Sequence, residues 1–415
     1  MSERHHLTAA TYLAFAVRNL ERNPRRTALT LFSLAVGTAL VTFLGAMNDG
    51  WLSEMRENFI LTLTGHVQIH APGHRASWQS QEYIADPGPV IAILEAHPDV
   101  AGWTARIGTT GLASVAAASA GIQILGLQPE REAKVCLLQR LLAQGRCLKP
   151  GDDRGLVLGH DVATSLAASP GDQVVLMAQS PTGELVSDLF TLHGIVRSGA
   201  PQIDRVLAVI PLGTAQRWLG LDGGVTHLAV RAREHGATDA LLTDLRESLP
   251  ADQYDIAPWW ELDPMVWQWL RFGEAYGLVI LGIVVALTIA QVGNTMIMAL
   301  HERVAEFGLM EAVGTRRAQI FTLVCCEAVI LVVTGGFLGY SLGAAAVALT
   351  ADGIDFSAFA GAFEFFFMDP VVQPRLSPTM ALKVIGALAL AALVGGLYPA
   401  WRAARLNPIE ALRRS

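Results

Sequence analysis

Four long apolar runs, separated by segments of very different texture, set the organisation of this chain. Residues 27–47, 276–299, 320–349 and 380–399 are almost wholly apolar, and a helix rising about 1.5 Å per residue needs about 20 such residues to cross a hydrocarbon core. Lys383, near the start of the last run, can lift its ammonium to the interface. Between the first and second runs lie about 220 residues with shorter periods. Here "HVQIHA", "IQILGL", "GLVLG", "DQVVLMA" and "RVLAVIP" read as strands, and "PVIAILEAH", "EREAKVCLLQRLLA", "HDVATSLAA" and "ATDALLTDLRESL" as short helices. The pattern predicts an α-helical membrane protein with four transmembrane helices and a large mixed α/β domain inserted between helices 1 and 2.

Composition agrees with a lipid setting. Hydrophobic residues make up 52% of the 415 residues and charged ones 16%, against about 25% charged in ordinary soluble domains. Arginines then give orientation. Arg4, Arg18, Arg22, Arg25 and Arg26 precede the first span, Arg303, Arg316 and Arg317 lie between the second and third, and Arg402, Arg405, Arg413 and Arg414 follow the fourth. The positive-inside rule makes all three segments cytoplasmic. The loop between spans three and four has Arg375 against Asp352, Asp355, Glu364 and Asp369, which suits the opposite side. The first run exceeds the length of a signal-peptide core and reads as an uncleaved anchor.

The resulting division is an N-terminal interfacial helix over 1–26, spans at 27–47, 271–299, 319–349 and 380–400, a periplasmic α/β domain with stalk ends over 48–270, a cytoplasmic segment over 300–318, a periplasmic loop over 350–379 and a cytoplasmic tail over 401–415. Acidic residues outnumber basic ones in the inserted domain, so a nucleic-acid partner is not expected. Trp51, and Trp259, Trp260, Trp267 and Trp269 in "PWWELDPMVWQWL", are expected at the headgroup level.

No phosphate-loop or zincin motif is present: Lys134, Lys149 and Lys383 are the only lysines and none follows a glycine, which excludes a GxxxxGK[ST] loop, and HExxH is absent too. "HVQIHAPGH" offers His66, His70 and His74, but residues four apart in a strand are about 13 Å apart, and no shared metal is expected. Cys136 and Cys147 lie in the oxidising compartment and leave a disulfide open as an alternative to free thiols.

One segment interrupts the membrane-grade sequence: "HERVAEFGLMEAVGTRRAQIF", residues 301–321. On a continuous helix Leu300, Val304 and Phe307 share one face, while Glu302, Arg303 and Glu306 gather on the other. Gly308 then weakens the helix. The polar face is mixed rather than Lys/Arg-rich, which favours a protein partner over the lipid surface. Glu327, inside the third span, needs a partner of its own; depth counting selects Gln291 or Asn294 of the second span. Gly335, Gly336, Gly339 and Gly343 form a small-residue face that lets helices approach closely.

"ERVAEFGLMEAVGTRRAQIFTLVCCEAVILVVTGGFLGYSLG" and the closing "YPAWRAARLNPIEALRRS" resemble the FtsX-like permease family, whose signature includes a glycine that falls here at Gly314. "VRNLERNPRRTALTLFSLAVGTAL" is similar to that family's first span, and "GLVLGHDVATSLAASPGDQVVLMA" with "GIVRSGAPQIDRVLAVIPLGTAQRWLGL" looks like its lipoprotein-releasing (LolC/LolE-type) branch. The resemblance implies a non-catalytic transmembrane subunit of an ABC transporter in the inner membrane. It implies a second permease, the same chain or a sister, and a pair of cytoplasmic ATPases that hold the ATP and Mg; no cofactor is expected on this chain. Leu300, Val304 and Phe307 would then seat in the ATPase, with Glu302, Arg303 and Glu306 fixing register and Gly308 and Gly314 shaping the segment. The family has Arg or Lys where this chain has Glu311. Phe43, Met47 and Trp51 would meet the acyl chains of a membrane lipid or lipoprotein substrate bound for a periplasmic carrier. A drug or peptide exporter and a scaffold for a cell-wall hydrolase are the alternatives.

Overall fold

Apolar residues without turn signals form uninterrupted helices, and caps decide where these end. The computed structural model describes residues 9–136, 141–198, 201–359, 361, 363 and 370–405, which fall into two compact units. Arg4, Arg413, Arg414, the end of the closing motif, Glu364 and Asp369 lie outside the described residues.

The first unit is helical. Pro24–Phe59, Pro264–Glu302, Arg317–Leu349 and Pro378–Ala403 are each long and apolar enough to cross a membrane. They match the four expected runs, but the first two helices are far longer than the span itself, at 36 and 39 residues. A shorter helix, Ala9–Arg22, precedes the first span. The fourth span starts where Ser377 caps it by accepting from the Met380 N–H at 3.1 Å, with Pro378 in the first turn, where its missing N–H costs nothing.

Glycines set close helix approaches in this unit. A Cβ on Gly335, Gly339 or Gly343 would lie 2.7 Å from Leu34 Cβ, 2.5 Å from the Ala35 carbonyl oxygen and 2.7 Å from Thr42 Cβ respectively, so this stripe of the third span lies against the first. Gly336 faces Leu388 of the fourth span, and Gly395 of the fourth faces Val292 of the second. Below these contacts Leu34, Val292, Met296, Leu323, Val324 and Leu331 fill an apolar core. Packing of this kind is what holds helices together in lipid, where burial of apolar surface supplies little.

The inserted unit is a mixed α/β domain around one sheet. Its strands are β1 (Val67–His70), β2 (Val100–Val115), β3 (Ala118–Leu127), β4 (Leu142–Gly145), β5 (Gly155–Gly159), β6 (Gln173–Gln179), β7 (Leu185–Val196), β8 (Leu207–Pro211), β9 (His227–Ala232) and β10 (Asp255–Pro258). Their order is β10-β1-β9-β2-β3-β8-β5-β7-β4, with β6 paired to both β2 and β7. β3–β8 and β5–β7 are parallel and the other pairs antiparallel. Helices Gly88–Ala96, His160–Ser165, Leu212–Leu219 and Thr238–Ser248 cover the sheet, and Val90, Leu94, Ile107, Leu158, Leu176, Phe190 and Leu245 fill the core between.

Two expectations need correction here. The helix read over "EREAKVCLLQRLLA" ends at Val135, and Leu142–Gly145 is a strand. Trp259 is no interfacial anchor: it is 1% exposed in the domain core, edge-on to Trp260 and Trp267 at 5.7 Å each. Cys136 and Cys147 are free thiols, and Cys136 Sγ accepts from Arg106 Nη2 at 3.1 Å.

Candidate coupling site

The polar segment between the second and third spans does not continue the second helix. That helix stops at Glu302; Arg303, with φ −117° and ψ 16°, breaks it, and a separate helix runs over Val304–Ala312. Gly314 then takes φ +103°, a left-handed conformation that glycine adopts without a Cβ penalty. The Thr315 N–H closes this end by donating to the Met310 carbonyl at 2.9 Å.

Charge ties the segment to its neighbours. Arg303 donates from Nη1 to Glu327 of the third span at 3.2 Å and from Nε to Glu306 at 3.1 Å, and its guanidinium lies 4.9 Å from the Phe307 ring centre. Glu306 also pairs with Arg22, and Glu302 accepts from Arg26 Nη1 at 2.6 Å and from Asn23 Nδ2 at 2.9 Å. Partial burial opposes ionisation of Glu306, but the hydrogen bonds from Arg22 and Arg303 outweigh it and hold the carboxyl below its ordinary value. Glu302, Arg303 and Glu306 therefore brace the segment against the start of the first span, the end of the helix before it and the interior of the third.

The structure corrects the apolar half of the expectation. Leu300 and Phe307 are 3% and 2% exposed, packed into the chain's own helical core beside Met296 and Ile320, and Val304 is half-buried. They are unavailable to another protein. Gly308 is buried as well. The break at Arg303 shifts the helical phase, and the apolar side chains turned outward are Leu309, 58% exposed, and Val313, 80% exposed. A signal for them existed, since both sit in "GLMEAVG", but one phase carried through Arg303 hides it. Glu311, the departure from the family pattern, accepts from Arg317 Nε at 2.9 Å within the chain.

Glu327 is 97% covered in the sense that only 3% of its side chain is exposed, and its partner is Arg303 rather than Gln291 or Asn294. Gln291 is half-buried and Asn294 exposed on the second span. Phe43, Met47 and Trp51 are half-buried on the first helix. A small cavity of about 140 Å³ sits beside them, lined instead by Leu44, Asn48 and Leu52 with Tyr276, Leu281 and Met380.

His70 and His74 lie closer together than extended-strand spacing allows. The strand ends at His70, the chain turns, and the His70 and His74 rings stack at 5.8 Å. His227, distant in sequence, joins them, whereas His66 accepts from the Ala232 N–H at 3.3 Å. Burial lowers the His70 pKa to about 3, with further lowering from His74, Arg75 and Arg106.

A bundle of four apolar helices, an α/β domain inserted between the first two, and a charge-braced helix between the second and third define a membrane-embedded permease subunit of the ABC-transporter type. The chain belongs to the family of the MacB-like periplasmic core domain, matched over residues 27–248, and carries an FtsX-like permease C-terminal domain over residues 278–408. The lipoprotein-releasing system transmembrane protein LolC of Xylella fastidiosa (strain Temecula1) is 24% identical over 92% of this chain and 92% of its own length. The macrolide export ATP-binding/permease protein MacB of Nitrobacter winogradskyi is 27% identical over 98% of this chain, which spans 60% of that protein. Among solved structures, the periplasmic region of MacB from Actinobacillus actinomycetemcomitans is 16% identical, covers 49% of this chain and 94% of its own, and superposes with a TM-score of 0.34.

Proposed function

We propose that this permease releases lipoproteins from the inner membrane, using ATP hydrolysed on a separate cytoplasmic ATPase pair to move its periplasmic domain. The observation that carries the reading is end-to-end likeness to a lipoprotein-releasing subunit, 92% of both chains. The braced segment supports the mechanical part. A push on Leu309 and Val313 is passed through Arg303 to Glu327 in the third span, through Glu302 to Arg26 at the start of the first, and through Glu306 to Arg22 at the end of the helix before it. Both termini are cytoplasmic in this scheme, and the second permease is a copy or a sister chain. The substrate's acyl chains enter beside the outer half of the first span, where the cavity lined by Leu44, Asn48 and Leu52 opens.

The test is reconstitution of the permease with its ATPase in proteoliposomes loaded with an acylated lipoprotein. ATP-dependent transfer of the lipoprotein to a soluble carrier is the expected result. Retention of the lipoprotein, with ATP hydrolysis stimulated by a macrolide or peptide instead, would replace this reading with the exporter one that the MacB likeness suggests.

A further inference from the structure

Three histidines of the inserted domain form a cluster that transport leaves unused. His70 closes β1 and His227 opens β9, and the antiparallel register sets them directly opposite each other. Beyond β1 the chain turns through Gly73, with φ +87°, and brings His74 back against the same pair. Ring centres lie 5.0 Å apart for His70–His227 and 5.8 Å for the other two pairs. All three side chains are buried, and one nitrogen from each lies within 4.8 Å of the others.

Neighbouring bonds set which nitrogens are free. His74 Nδ1 donates to the Gln79 carbonyl at 2.9 Å, which leaves Nε2 with its lone pair and no hydrogen-bond partner. Thr226 Oγ1 donates to the Arg106 carbonyl at 3.2 Å and accepts from the Gly108 N–H at 2.7 Å. Its contact with His227 Nδ1 at 3.0 Å is thus an acceptance from the ring N–H, and His227 Nε2 is the basic nitrogen. Neither nitrogen of His70 has a hydrogen-bond partner. Unpaired buried polar atoms are costly in a core, and an imidazole oriented through its other nitrogen is how proteins aim histidine at a metal.

The charges that face the cluster do not exclude a cation. Arg106 is neutralised by Glu132 through Nη2–Oε1 at 2.5 Å and Nε–Oε2 at 3.1 Å. Arg75 lies 2.6 Å from Asp255 and 3.6 Å from Glu261. A cavity of about 520 Å³, lined by His70, His227, Gln68, Trp78 and Glu261, opens on one side.

We propose that His70, His74 and His227 bind a divalent transition-metal ion of the Zn²⁺ class, with the fourth position open to the cavity. Three neutral imidazoles suit such an ion and not Mg²⁺ or Ca²⁺. Tetrahedral bonds of about 2.0–2.1 Å require the nitrogens to be about 3.4 Å apart, so the rings turn inward to close on the ion from their 4.8 Å span.

The test uses the full-length permease in detergent, stripped with a chelator and titrated with Co²⁺. Visible absorption of a tetrahedral Co²⁺ site, bleached by Zn²⁺, is expected in the wild type and in His160→Gln, and its loss in His70→Gln and His227→Gln. Zn²⁺ should raise the thermal transition of the stripped wild type but not of the two cluster variants. The wild-type spectrum needs no substitution and so decides even if a core variant fails to fold. No Co²⁺ band in the folded wild type, or a band that persists in both cluster variants, overturns the proposal.

Discussion

Arg303 reaches Glu327 across the junction of two helices, Nη1 to Oε2 at 3.2 Å, with side chains only 11% and 3% exposed. The first residue sits at the break that ends the second span and the second lies ten residues inside the third-span helix that starts at Arg317. A pair this buried costs desolvation to make, and removing one partner strands the other charge.

Arg303→Ala should therefore destabilise the permease by about 3–5 kcal/mol, read as a lower thermal transition in detergent. Replacing both residues, Arg303→Leu with Glu327→Leu, should recover much of the loss, because no charge is left stranded. If the double variant is as unstable as the sum of the singles, the pair is not the source of the effect.

Val313→Asp and Leu309→Asp are expected to leave the permease folded but weaken ATPase binding by about 1–2 kcal/mol each. Phe307→Ala should do the reverse first, costing about 3–5 kcal/mol of fold stability through a core cavity. Co-purification of the ATPase and the melting temperature separate the two; undiminished ATPase retention in Val313→Asp removes this docking face.

Gly339→Leu should disrupt the contact between the first and third spans, by about 1–3 kcal/mol or more, since even its Cβ would meet the Ala35 carbonyl oxygen at 2.5 Å. Gly386→Leu, at a position where a Cβ meets nothing within 4 Å, serves as the control. Equal thermal stability of the two variants would count against the seam.

Acid should destabilise the inserted domain through its buried histidines. His70 has its folded pKa lowered to about 3 from 6.5, so the unfolded chain takes up a proton that the native one refuses. Stability from His70 is intact above pH 6.5 and falls by about 1.4 kcal/mol per pH unit between 6.5 and 3. His70→Gln should flatten the slope of unfolding free energy against pH in that window; an unchanged slope means the titration lies elsewhere.

The orientation predicts that, in a chain whose native cysteines are replaced, Ser187→Cys is labelled by an impermeant reagent from the periplasm and Val313→Cys is not. Both positions are exposed on the protein. The opposite labelling pattern would invert the topology.

Much of the architecture was legible because apolar runs leave few options. The four spans, the inserted α/β domain and strands β1, β3, β5, β6 and β8 follow from local pattern. β2, β7, β9 and β10 did not, since "VAGWTARIGTTGLASV" carries three glycines and polar residues that only sheet partners on both sides make sense of. At the coupling segment the charged residues were found but their partners were not. Arg22 and Arg26 are close to Glu306 and Glu302 only after about 280 residues of intervening chain. The histidine cluster was missed for a similar reason: strand spacing holds only while the strand lasts, and His227 is distant in sequence.

The glycine stripe has a consequence for motion. Gly335, Gly339 and Gly343 recur every four residues, and so do Leu34, Thr38 and Thr42 opposite them. Displacing the first helix outward by one repeat, about 6 Å at 1.5 Å per residue, would put Thr38 into the notch of Gly343 and Leu34 into that of Gly339. Intermediate offsets would set side chains against backbone with no notch to receive them. The seam is therefore a ruler with one graduation, on which sliding between these helices comes in whole steps.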